Sequence, residues 1–90
     1  MTPAQLRMAR SALKIGVRDL ADMAGVTTAT ITRYENERGG LNATTRDKIA
    51  TALELAGVLF IKDQRGDGVI KLSEESLKRL LLRDAEDGER

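Results

Sequence analysis

The sequence predicts a mainly α domain of four to five short helices, extended near its C-terminus by a β-hairpin and a closing helix. Three observations support this. Apolar residues recur at helical spacing from residue 3 to about 56, the period shortens to that of a strand at Val58, and glycines fall where helices must stop. The chain has 90 residues, enough for one domain with a modest core, and a single Phe, a single Tyr and no Trp make that core aliphatic.

The first helix opens at Thr2-Pro3, since threonine caps a helix and proline suits its first position. Leu6, Ala9, Arg10 and Leu13 then share one side, which sets a charged residue among apolar ones. Ile15-Gly16 ends this helix, with Gly16 in the capping position of the next.

The stretch Val17 to Glu37 reads as two short helices joined by a tight turn. Leu20, Ala21 and Ala24 lie on one face of the first, with Arg18, Asp19 and Asp22 on the other. Gly25 turns the chain sharply, because glycine takes a left-handed backbone without steric cost. Val26 drops into the core and Thr27 caps the second helix. There Ile31, Tyr34 and Glu35 share one face, so Thr28, Ala29, Thr32 and Arg33 point outward.

This run resembles the helix-turn-helix DNA-binding domains of the phage-repressor type, the Cro/C1 (XRE) family. The resemblance rests on Leu20-Ala21, Ala24-Gly25-Val26-Thr27, Thr30-Ile31-Thr32 and Glu35 in one register, and it extends over about residues 3–56. It implies that Arg10 pairs with Glu35, clamping helix 1 to the recognition helix as architecture rather than as a DNA contact. Two positions depart from the family pattern. Val17 stands where many members carry a phosphate-contacting glutamine, and Glu37 stands where they usually carry glycine.

Beyond this unit, Arg38-Gly39-Gly40-Leu41-Asn42 reads as a loop, and Asn42 or Thr44 caps a further helix whose Ile49, Ala50, Leu53 and Ala56 face inward. Gly57 stops it. VLFIKD and VIKL, separated by QRGDG, read as a strand, a turn and a returning strand. Val58 and Phe60 point one way, Leu59 and Ile61 the other, so both faces of the ribbon need cover. A closing helix begins at Ser73, with Glu74 and Glu75 near its positive end and an apolar stripe of Leu77, Leu80 and Leu81. The expected division is a DNA-binding domain at 1–57, a dimerising hairpin and helix at 58–84, and a flexible polar tail at 85–90.

Composition excludes several functions. The absence of Cys and His removes disulfides, thiolate metal sites and the commonest general base, so no metal, cofactor or catalytic residue is expected and the chain is not read as an enzyme. The carboxylates fall on helix exteriors or in the tail, and QRGDG lacks the Lys-Ser or Lys-Thr of a phosphate-binding loop. No apolar run is long enough for a membrane span and no signal-peptide pattern opens the chain, so a soluble cytoplasmic protein without membrane or small-molecule partners is expected. The net charge is only +1, but residues 1–48 carry eight basic against five acidic side chains, and residues 49–90 seven against nine. The basic excess coincides with the helix-turn-helix half, as a footprint for phosphates should.

Major-groove readout asks for short or forked side chains on an exposed helix. Thr28, Ala29, Thr32 and Arg33 meet that requirement, the arginine able to grip guanine O6 and N7 with two bonds. Alone, such a face is ordinary solvated surface; within the full motif it reads as the base-reading surface. Val17 (through its backbone N–H), Arg18, Thr27, Asn36 and Arg38 are the candidates for phosphate contacts, with Lys14, Arg46 and Lys48 weaker ones. Leu59, Ile61 and Ile70 together with Leu77, Leu80 and Leu81 exceed what a ribbon and one helix need to cover each other, which marks a dimer interface, with strand-edge pairing favoured over helix packing. The helix-turn-helix half is expected to offer no spare apolar surface. The expected function is a homodimeric transcriptional repressor, reading a palindromic operator in double-stranded DNA. The rivals are an activator, a recombination accessory factor, and a protein-interaction module of antitoxin-like or anti-activator kind on the same fold.

Overall fold

Seven elements follow one another: α1 (Pro3–Leu13), α2 (Val17–Ala24), α3 (Thr28–Glu35), α4 (Ala43–Leu55), β1 (Val58–Asp63), β2 (Gly66–Lys71) and α5 (Glu74–Gly88). This computed structural model describes the backbone of residues 1–88, with side chains through residue 80 and at 82.

Four of the five helices start at a residue whose side chain accepts from a free N–H group. Thr2 Oγ1 accepts from the Gln5 N–H at 3.1 Å while Gln5 Oε1 accepts from the Thr2 N–H at 2.9 Å, a reciprocal box with Pro3 in the first turn. Gly16 has no side chain to offer α2, but Asp19 Oδ2 accepts from its N–H at 2.9 Å. Thr27, Asn42 and Ser73 accept from the N–H groups of Thr30, Thr45 and Ser76. Of the two candidates for α4, Asn42 is therefore the cap.

Helix ends follow hydrogen-bond geometry more closely than composition. At the end of α3 the Arg38 N–H bonds to the Arg33 carbonyl at 2.9 Å and the Glu37 N–H to the Tyr34 carbonyl at 3.0 Å. The end of α1 repeats the pattern, with Ile15 to Arg10 and Lys14 to Ser11, both at 3.1 Å. Both are Schellman closures, which need a left-handed residue: Glu37 has φ 58° and Lys14 φ 56°. Gly25 takes that position after α2, at φ 69°. Gly16, by contrast, is extended (φ −86°, ψ 175°), so the turn that ends α1 is made two residues earlier, by a lysine.

The core draws Leu6 from α1, Leu20 from α2, Ile31 from α3, Ile49 and Leu53 from α4, and Val58 from β1, all fully buried. Truncating any of these leucines or isoleucines to alanine costs about 2–5 kcal/mol. Val58 lies in the same core, with Phe60 and Val69 packed against it, so one face of the hairpin rests on the helices.

The strands pair antiparallel, with Leu59 opposite Ile70, Phe60 opposite Val69 and Ile61 opposite Gly68. The last rung, Asp63 to Gly66, leaves only Gln64 and Arg65 in the turn, so the strand takes in residues that QRGDG assigned to the loop. The Asp63 carboxylate accepts from the Arg65 side chain and backbone N–H, both at 2.7 Å, and these bonds hold it below its ordinary pKa. Val58, Phe60 and Val69 face the helices, whereas Leu59, Ile61 and Ile70 face outward and are 43–46 % exposed.

The closing helix meets the body where Leu77 covers Gly57: a Cβ on Gly57 (φ 99°) would lie 3.4 Å from Leu77 Cδ1. Leu77 is thus half-buried within its own chain, not free surface, while Leu80 and Leu82 stay exposed and the outer hairpin face stays uncovered. The helix runs on to Gly88, into the segment expected as a tail from 85, where Ala85 and Glu86 are good helix formers. Residues 89 and 90 of that expected tail, and the side chain of Leu81, lie outside the described residues. No helix among the described residues is long and apolar enough to cross a membrane.

Candidate nucleic-acid interface

The α3 helix presents two opposite faces. Ile31, Tyr34 and Glu35 are buried, and Thr28, Ala29, Thr32 and Arg33 are exposed on the far side. Ala29, Thr32 and Arg33 line a shallow groove together with Asn36 and Arg38, so candidates for base and phosphate contact share one concave surface. Thr27 and Thr28 at the helix start are exposed but do not line that groove. At the head of α2, Arg18 is exposed and Val17 is half-buried, its side chain packed on the core. What Val17 can offer a phosphate is its backbone N–H, one of the donors left free in a first helical turn.

Arg33 does not stand alone on this face. A Cβ at Gly39 would lie 3.4 Å from Arg33 Cδ and Nε, so the arginine stem runs along the loop after α3, and the absent side chain leaves it room.

Behind the exposed face, α1 grips the end of α3. Arg10 Nε donates to Glu35 Oε2 at 2.7 Å and Arg10 Nη2 to Glu35 Oε1 at 2.6 Å, while Nη1 reaches the Ile15 carbonyl at 3.3 Å. Glu35 is 6 % exposed. One arginine thereby ties α1, the turn into α2 and the end of α3 together. Arg7 adds a hydrogen bond from Nη1 to the Glu35 backbone carbonyl, and the Tyr34 hydroxyl donates to the Met1 carbonyl at 3.0 Å. Neither contact has a sequence signal, since Arg7 reads as one more solvated charge on α1.

Two further features escaped sequence reasoning. Gln5, polar and inside a helix, is 3 % exposed; its Nε2 donates to the carbonyls of Ile61 and Gly68, both at 2.9 Å. The helix-turn-helix half also carries apolar surface after all. Met23 and Leu55 are 46 % and 82 % exposed and line an open groove between α2 and α4 with Ala52 and Ala56. Neither belongs to the inward sets read from periodicity, Leu20, Ala21 and Ala24 on α2 and Ile49, Ala50, Leu53 and Ala56 on α4.

Among the described residues, no group of His, Cys, Asp or Glu could hold a metal ion. What the site offers is a helix with a small, polar, arginine-bearing face, held from behind and flanked by further cations. Such an arrangement defines a helix-turn-helix DNA-binding domain. Residues 6–58 match the family model described as Helix-turn-helix, more than half of the chain, and the protein belongs to that family, in its Cro/C1-type (XRE) form. It is accordingly a DNA-binding regulator of the helix-turn-helix type. No curated protein matches the chain significantly.

Proposed function

We propose that the protein is a homodimeric transcriptional repressor that reads a palindromic operator in the major groove of double-stranded DNA. The observation that carries this reading is the exposed face of α3, Thr28, Ala29, Thr32 and Arg33, backed by the Arg10–Glu35 clamp. A rigidly held helix delivers side chains to base edges with little conformational freedom left to lose.

In this reading α3 enters the groove, Arg33 grips a guanine, and the methyl groups of Ala29 and Thr32 meet thymine. Asn36, Arg38, Arg18, Thr27 and the Val17 N–H hold the flanking phosphates and set register. One such helix reads too few base pairs to select a single genomic site. A second copy, seated on the outer hairpin face at Leu59, Ile61 and Ile70 and reaching Leu80, supplies the other half-site about 34 Å away. Leu77, engaged on Gly57, takes no part. Repression follows when the operator overlaps a promoter.

Selection of bound sequences from a random duplex pool tests this directly. The expected result is an inverted repeat with half-sites about one helical turn apart, bound less tightly as salt rises. An unpaired motif would remove the dimer from the reading. Absence of any salt-sensitive binding would replace it with the protein-interaction module.

A further inference from the structure

Gln5 occupies an unusual place: one buried amide joins the hairpin to the helix that holds the recognition helix. Its Oε1 accepts from the Thr2 N–H, and its Nε2 donates to the carbonyls of Ile61 and Gly68, each at 2.9 Å. Ile61 and Gly68 are cross-strand partners, so the amide holds both strands at one rung. Two and five residues further along α1, Arg7 and Arg10 hold the backbone and the carboxylate of Glu35. At 1.5 Å of rise per residue, the two grips lie within about 8 Å along the helix axis.

We propose that Gln5 is a positioning residue that transmits the seating of the hairpin to α3, and so sets the spacing between the two reading helices of the dimer. The inference rests on the dimer reading above. Ile61 connects the two halves of the argument. Its side chain stands on the outer hairpin face, 46 % exposed, while its backbone carbonyl is held by Gln5. A second copy pressing on that face therefore acts on a residue bonded directly to α1. The chemistry at position 5 requires an amide, because only an amide accepts from Thr2 and donates to two carbonyls at once. Methionine fills a similar volume without either bond, and glutamate would set a carboxylate against two carbonyl oxygens.

The test uses the full chain, a selected operator, its isolated half-site, and versions of the operator with one base pair added or removed between half-sites. Wild type is expected to lose about fivefold or more in affinity when the spacing changes, the scale of a coupling between sites. Q5M is expected to keep its half-site affinity within about twofold while losing most of that spacing penalty and the same factor on the native operator. A merely structural role would lower half-site and full-site binding together and leave the spacing preference intact. A Q5M protein with the wild-type spacing profile overturns the inference alone. A wild type that gains nothing from a second half-site overturns the dimer reading, and this inference with it. Should Q5M not fold, hydrogen exchange of the Gln5 side-chain amide is followed in wild type on binding an isolated half-site. Slowing by about fivefold or more supports the coupling, and an unchanged rate overturns it.

Discussion

Arg10 and Glu35 meet through two parallel charge-assisted hydrogen bonds, at 2.7 and 2.6 Å, with the carboxylate side chain only 7 % exposed. A fork of this kind fixes orientation as well as distance, so α3 is held against rotation about its own axis. The hydrogen bond to Glu35 raises the Arg10 pKa further above an already high ordinary value. A raised cation contributes stability that is full below its unfolded pKa and is lost only as pH rises through the folded one, so the arginine stays charged throughout the working range. Arg10→Met strands a buried carboxylate and is expected to cost about 3 kcal/mol in urea unfolding. Adding Glu35→Leu to that variant should recover most of the loss, because removing both charges also removes the desolvation penalty. An unchanged urea midpoint for Arg10→Met would mean the pair contributes nothing.

The left-handed positions give a prediction of opposite sign. Lys14 and Glu37 close their helices at φ 56° and 58°, where a side chain crowds the following carbonyl oxygen and glycine does not. Part of the gain from glycine is offset by its freer unfolded chain. Lys14→Gly and Glu37→Gly should each stabilise the domain by about 0.5 kcal/mol, or about 2–4 °C in thermal unfolding. Gly25→Ala, at φ 69° with open space around it, should lose about 1 kcal/mol from backbone strain alone.

These residues also mark what a sequence can and cannot convey. Periodicity locates the inner face of α3 at Ile31, Tyr34 and Glu35, because burial on a helix repeats with its turn. Caps are equally legible, since Thr2, Thr27 and Asn42 act on N–H groups three residues away. The exposed residues of α3 could be named for the same local reason, as the complement of its buried stripe. Gln5 was not legible, since its partners lie 56 and 63 residues further on and nothing local marks a glutamine that will bridge two strands. Lys14 was hidden for a related reason: any residue can be forced left-handed by the closure around it, and glycine only makes this cheaper. The exposure of Leu55 depends on how elements pack, which a one-dimensional pattern does not encode, whereas the extent of α5 is missed when the polarity of 85–90 is weighed above the helix propensity of Ala85 and Glu86.

Arg33 and Arg38 border the same groove but are assigned different tasks, and kinetics of binding are not needed to separate them. Arg33→Ala should lose about 1–3 kcal/mol of discrimination at one base pair, and random DNA should bind nearly as before. Arg38→Ala should weaken operator and random DNA alike and reduce the salt slope by about one unit. Titrations of both variants at several salt concentrations check this. If Arg33→Ala loses affinity equally for both duplexes, the arginine is holding a phosphate.

For the dimer proposed above, two exposed apolar surfaces could serve as the interface, and the register of the hairpin favours one of them. Leu59 and Ile70 are direct cross-strand partners and Ile61 lies two residues along the same face, so three side chains form a continuous patch on a rigid ribbon. The groove between α2 and α4 relies on Leu55, at the last turn of its helix and 82 % exposed, beside Met23. A flat patch next to unpaired strand edges can also extend its sheet across a two-fold axis, which a helix end cannot do. Ile70→Glu is therefore expected to yield a monomer with half-site affinity retained, and its outward position should keep the change in domain stability within about 0.5 kcal/mol. Leu55→Glu should leave the dimer intact. Sedimentation at micromolar concentration distinguishes the two: a dimeric Ile70→Glu beside a monomeric Leu55→Glu would move the interface to the α2–α4 groove.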